Sequence, residues 1–125
     1  SVSRGLGDVY KRQCQNRAKF AVQNLHLTQG LAPEALADWP APDAVFIGGS
    51  KGNLRAIVDA ALAANPAARL CISAIALETL QQAVAALTAH GLTAQVTQIA
   101  VSRSRAAGSL HLLMANNPVF LIARE

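Results

Sequence analysis

Residues 48–53 read Gly-Gly-Ser-Lys-Gly-Asn, and they follow the apolar run DAVFI that starts at Asp43. Glycine leaves space where a ligand or a second backbone can come close. A helix starting after Asn53 would aim free N–H groups and a partial positive charge at this turn, which suits an anionic or polar ligand. The spacing is not that of a phosphate-cradling P-loop. That loop needs G-x-x-x-x-G-K-[ST], whereas here Lys51 precedes Gly52 and no G-K-[ST] exists.

Elsewhere the residues able to do chemistry are few. His26, His90 and His111 are scattered and show no metal-ligand spacing. Ser50 and Ser73 have no obvious histidine partner for nucleophilic catalysis. Glu78 can serve as a base or polar contact, and equally as a helix-start residue. Arg103 and Arg105 can take carboxylates in bidentate fashion, and loop arginines can equally be solvated. Cys14 and Cys71 form no disulfide framework. Cys71, in an apolar run, reads as a small buried thiol of a reducing cytoplasm.

The elements that must position these residues alternate. Residues 24–29 (NLHLTQ) read as a short strand stopped by Gly30, and APEALAD as a helical turn with Pro33 near its start. DAVFIGG reads as a strand buried on both faces. Leu54, Ile57, Val58, Ala61 and Leu62 recur at helical spacing, with Asn53 as N-cap. LCISAI (70–75) is the next strand. Leu77, Leu80, Val84 and Leu87 give a second amphipathic helix, with Gly91 at the position that favours a left-handed residue. LTAQVTQIAV (92–101) is a strand, SRSRAAGS (102–109) a loop, and LHLLMANNPVFLIA a last strand bent or bulged at Pro118. The order β-α-β-α-β-α-β-β implies a mostly parallel sheet with right-handed crossovers and a terminal antiparallel hairpin strand. Ligands bind such sheets beyond the carboxyl ends of the strands. The ends at 30–32, 48–52 and 73–78 should therefore share one edge.

Length and composition bound the rest. A 125-residue chain, 52% hydrophobic and 14% charged, is one domain able to bury a core. No apolar run approaches the ~20 residues that span a bilayer, and the first twenty residues do not resemble a secretory signal. The net charge of +4 comes from the start, where Arg4, Lys11, Arg12, Arg17 and Lys19 face Asp8 alone. The remainder is formally neutral, which argues against a nucleic-acid surface. Residues 1–13 show no helical period. Their GLGD lacks the strand that a nucleotide-binding glycine motif needs before it, and the segment reads as a foreign or disordered tail.

From about residue 15 onward, APEAL, PDAVFIGGSKGNL, ISAIALETL, TQIAVSRSR and NNPVFLI follow one another as in a known family. The chain resembles the decarboxylating precorrin methyltransferases of cobalamin biosynthesis: the C-terminal domain of precorrin-6Y C(5,15)-methyltransferase and the stand-alone cobalt-precorrin-6B C(15)-methyltransferase. The resemblance implies the C-terminal part of a class I methyltransferase (Rossmann-like) fold, with S-adenosylmethionine as methyl donor and a precorrin-type tetrapyrrole as substrate. Carbon-15 of the macrocycle would attack the methyl group while an acetate side chain loses carbon dioxide. The protein would chiefly align the reactants, which can supply much of the rate.

Carried over residue by residue, Leu31, Ala32 and Gly48 match positions at the cofactor. Gly49, Ser50, Lys51, Gly52, Asn53, Arg103 and Arg105 match or suit the substrate side; no catalytic residue is assigned. Leu31 stands where many members carry an acidic or polar residue, and Lys51 where glycine is usual. Ser73, Ala76 and Asn116 replace a common asparagine, threonine and leucine. The family's first strand, its G-x-G-x-G loop and its ribose-binding acid should precede residue 15 and have no counterpart here. Residues 14–125 thus read as an incomplete methyltransferase domain, inactive alone, exposing apolar edges and drawn from a cytoplasmic parent that can be a homo-oligomer. Two other readings stay open on the residues: another Rossmann-like nucleotide-dependent enzyme, and a non-catalytic half-fold module.

Overall fold

The computed structural model describes residues 2–50 and 52–125, with side chains from residue 7 onward. The chain forms two compact units, one reaching to Asp38 and one spanning Trp39–Glu125.

In the first unit, helix α1 covers Val2–Lys19, through the segment read as a disordered tail. Gly7, Tyr10 and Cys14 are its half-buried residues. Their spacing of three and four makes one helix face, a sparse signal without a single leucine or isoleucine. The helix ends in a Schellman turn: Val22 N–H donates to the Arg17 carbonyl at 3.0 Å and Ala21 N–H to that of Ala18 at 3.2 Å. Residues 24–29 form no strand. A single 3-10 turn covers Glu34–Leu36, and Gly30 is needed beside it, since a Cβ there would lie 2.7 Å from that of Ala35.

The second unit holds strands β1 (Ala44–Ile47), β2 (Arg69–Ala74), β3 (Ala94–Ile99), β4 (Ser102–Ala107), β5 (Leu110–Ala115) and β6 (Val119–Arg124), with helices α2 (Leu54–Ala64) and α3 (Leu77–Ala89). Four strands form one sheet in the order β1-β2-β6-β3. β1 and β2 are parallel, and β6 runs antiparallel to both β2 and β3. Three strands therefore share a direction, yet the sheet is mixed, because β6 inserts between β2 and β3. The apolar run after residue 110 is not one bent strand. The link 116–118 separates β5, in a two-stranded sheet with β4, from β6. Residues 102–107, expected in a loop, form β4.

The core lies between the helices and one sheet face. Leu54, Ile57, Val58, Ala61 and Leu62 of α2 are buried, as their spacing requires, and so are Ile47, Leu70, Ile72, Ala74 and Ile122 of the sheet. Helix α3 departs from expectation. It buries Ala83, Ala86 and Leu87, while Leu77 is 69% exposed and Leu80 and Val84 are half-buried. Small residues let α3 approach its neighbours closely, and that rotates the leucine stripe outward. On the other sheet face Phe46 pairs with Cys71, Ser73 with Leu121 and Ile99 with Val119. Phe46 is 66% exposed and Cys71 only half-buried, so this thiol is not a core residue.

Two polar fastenings hold the lower end of the unit. The Asn65 side chain donates to the Pro42 carbonyl at 2.9 Å and accepts from Ala67 N–H at 3.0 Å. The Arg124 guanidinium donates to the carbonyls of Pro66 and Ala68. Both tie the α2–β2 connection to the sheet.

Candidate functional site

The opposite end carries a cleft of about 550 Å³. It lies beyond the carboxyl ends of β1 and β2, where topology predicts a ligand edge. Gly48, Gly49, Ser50 and Gly52 form one wall, Ser73 to Ala76 a second, and Thr79 and Gln82 of α3 a third; Val119 closes it from β6. Lys51 lies outside the described residues.

Each wall has a local cause. After Ile47 the chain must reverse into α2, and Gly52 takes φ 89, which favours glycine. Asn53 N–H donates to the Ser50 carbonyl at 2.8 Å, and the Asn53 carbonyl receives Ile57 N–H at 3.0 Å. Asn53 is thus the N-cap by position, although its side chain makes no capping bond. A Cβ on Gly48 would approach the Phe46 ring at 3.3 Å, whereas one on Gly49 would meet nothing within 4 Å. The second turn leads into α3, whose N-cap Ala76 has no side-chain capping bond. Two helices therefore begin at the cleft with backbone N–H groups that no cap side chain occupies, and both favour electronegative ligand atoms.

Among its described lining residues the cleft holds hydroxyls, an amide and backbone groups, and no Asp, Glu, His, Lys or Arg. These residues can orient a ligand by hydrogen bonds but supply no acid or base. Glu78 is exposed in the first turn of α3 and does not line it. His90 lies at the far end of α3, where its Nε2 is 2.6 Å from Asp59 Oδ1, and Arg55 Nε donates to the same oxygen at 2.8 Å. The His90 hydrogen bond first, and Arg55 second, hold the Asp59 carboxyl below the usual carboxylate range.

Of the site residues expected from sequence, Gly48, Gly49, Ser50 and Gly52 are brought together, and Asn53 starts the adjoining helix. Leu31 and Ala32 belong to the first unit, in a segment without strand structure. Arg103 and Arg105 lie on β4 and not in a loop, exposed and off the cleft lining. Thr79, Gln82 and Val119 were missed. Ala76, Thr79 and Gln82 recur every third residue at the start of α3, which puts them on one helix side. Val119 reaches the cleft because β6 runs backward, so that its first residue meets the carboxyl ends of its neighbours.

Comparison with known proteins adds a family. A family model described as the precorrin methyltransferase domain matches residues 7–124. The probable cobalt-precorrin-6B C(15)-methyltransferase (decarboxylating) of Pyrobaculum calidifontis is 38% identical over 109 residues, 86% of this chain and 56% of the relative. Its counterpart in Salmonella typhimurium is 37% identical over 111 residues, 87% of this chain and 57% of the relative. Among solved structures, precorrin-6y C5,15-methyltransferase of Geobacter metallireducens superposes with TM-score 0.80 at 36% identity, covering 89% of this chain and 58% of that one. Precorrin 8W decarboxylase of Methanobacterium thermoautotrophicum gives TM-score 0.85 at 29% identity, covering 94% and 64%. The chain thus spans little more than half the length of the curated relatives it matches.

Proposed function

The chain belongs to the precorrin methyltransferase domain family, and from that premise we propose that it supplies one side of a cleft for methyl transfer to carbon-15 of a precorrin macrocycle, coupled to decarboxylation of an acetate side chain. The overall fold is the class I, Rossmann-like one, and the work is cytoplasmic. The observation that carries the reading is the cleft itself. It stands at the carboxyl edge of the strands, between two helix starts, and no titratable side chain lines it among the described residues.

S-adenosylmethionine, when bound, supplies an electrophilic methyl group, so the protein need not generate a nucleophile. The residues present fit such a donor, because the space before Gly49 is open and Gly48 keeps the Phe46 ring clear. Gly48 would face the donor, and Gly49, Ser50 and Gly52 would face the macrocycle. Ser73 and Gln82 can hydrogen-bond polar edges. Their contribution is alignment and the exclusion of water, which can account for a large share of a two-reactant barrier.

The test is a chimera carrying residues 15–125 in place of the matching part of the Salmonella typhimurium relative. It is expected to transfer labelled methyl to a precorrin substrate and release carbon dioxide. Gly49→Leu, which the open space tolerates, should fill the cleft and lower the rate about 100-fold, nearly 3 kcal/mol of barrier, at unchanged Tm. A folded but inert chimera would overturn the proposal.

A further inference from the structure

Two walls of the cleft differ in kind. Gly48, Gly49 and Gly52 carry no side chain, and Ser50 is the one described residue among them that does. A flat ligand can turn in its own plane against so smooth a wall. The α3 wall is studded. Thr79 and Gln82 both line the cleft, three residues apart and so about 4.5 Å from each other along the helix axis. Neither side chain makes a hydrogen bond to another described residue. Thr88, later on the same helix, shows what a helical threonine otherwise does: its hydroxyl donates to the Val84 carbonyl at 2.8 Å. Thr79 has no such helical partner, because the residue four earlier, Ile75, precedes α3. Adjacent glutamines complete the contrast. Gln81 lines a groove on the outer side of α3 with Leu80 and Val84, whereas Gln82 lines the cleft.

We infer that Thr79 and Gln82 fix the rotation of the flat methyl acceptor within its plane, and so decide which of its carbons receives the methyl group. The inference rests on the methyl-transfer reading. The need for such a device is chemical. Carbon-15 is named for the Salmonella typhimurium relative, and carbons 5 and 15 for the Geobacter metallireducens protein. These carbons are opposite bridges of one macrocycle, and a half-turn in the plane exchanges them. Stacking against glycine is blind to that half-turn. A hydroxyl and an amide are not, since they bond only the polar atoms that one rotation presents, the amide by donating and accepting at once. Two neutral hydrogen bonds made in one rotation and unmade in the other favour the first by about 10- to 100-fold.

The experiment gives the chimera S-adenosylmethionine with an isotope-labelled methyl group and reads the labelled carbon of the product by NMR. The unsubstituted chimera should label one position. Thr79→Val/Gln82→Leu should spread the label to a second carbon, with about a tenth or more of it there, at unchanged Tm. Gln81→Leu should keep one labelled position, and so should Thr79→Ser, which retains the hydroxyl. A single labelled position in the double variant, at any rate of transfer, overturns the inference and leaves the methyl-transfer reading standing. Spreading of the label in either control does the same, since the effect then does not come from the cleft side chains. Complete loss of product in both Thr79→Val and Gln82→Leu also overturns it, because a residue that only fixes a rotation leaves transfer possible. An inert unsubstituted chimera instead overturns the reading on which the inference rests.

Discussion

At the scale of single residues, α3 gives the clearest test of what packing demands. Leu77 and Leu87 have the same side chain and opposite surroundings, 69% and 0% exposed. Leu87→Ala is expected to cost about 2–5 kcal/mol, the usual range for an emptied leucine site. Leu77→Gln should change stability by no more than about 0.5 kcal/mol; urea titration of both variants checks the pair. Asp59 offers a pH test. Its carboxyl titrates below its unfolded value, so the stabilisation is present above the ordinary carboxylate range near 4 and disappears as pH falls through the folded value. Because the side chains are exposed, the contribution is below about 1 kcal/mol. Asp59→Asn should therefore lower Tm slightly at pH 7 and match wild type near pH 2. The residues of the glycine turn were legible one by one, because glycine at a strand-to-helix junction reports a local backbone need. The rotation of α3 was not, since leucine outranks alanine by hydrophobicity but alanine permits the closer helix approach.

At the scale of elements, legibility followed periodicity. Helix α2 and strands β1 and β2 have unmixed patterns and stand where the pattern put them, but β1, expected to be buried on both faces, lies at the end of the sheet and leaves Phe46 66% exposed. Strand β4 reads Ser-Arg-Ser-Arg-Ala-Ala, polar on both faces, and this hid it as a loop. The available signal was Gly108-Ser109 set between two runs, a two-residue turn of the kind that wants glycine first; Gly108 has φ 63. Gly108→Val should accordingly weaken the hairpin, because a β-branched residue strains at positive φ, and amide exchange across 102–115 should quicken while that of β2 stays unchanged. Residues 24–29 show the reverse error. They alternate like a strand but have no partner strand among the described residues, and alternation alone does not make a ladder.

At the scale of the whole molecule, the alternating order was enough to bring 48–52 and 73–76 to one edge, since parallel β-α-β units leave their carboxyl ends on one side, while 30–32, expected there too, follows no strand. It was not enough to show which strand would lie beside which. Pairing of β6 with both β2 and β3 depends on contacts far apart in sequence, which no local pattern encodes. The prediction at this scale concerns that strand. Ile122 is fully buried, and β6 supplies every ladder that joins β3 to the rest of the sheet. A chain ending at Pro118 is expected to lose cooperative unfolding and to bind a hydrophobic dye, which calorimetry and dye fluorescence would report.

The place of β6 also orders events in time. A ribosome makes this chain from β1 toward β6, so β1, α2, β2 and α3 emerge while the strand that must fill the gap beside β2 does not yet exist. β3 appears next and finds no neighbour, since its one partner strand among the described residues is still to be translated. The nascent chain therefore carries an open slot until β6 itself has been translated. Any pause or premature stop ahead of β6 would leave that slot accessible to other strands, chaperones or proteases.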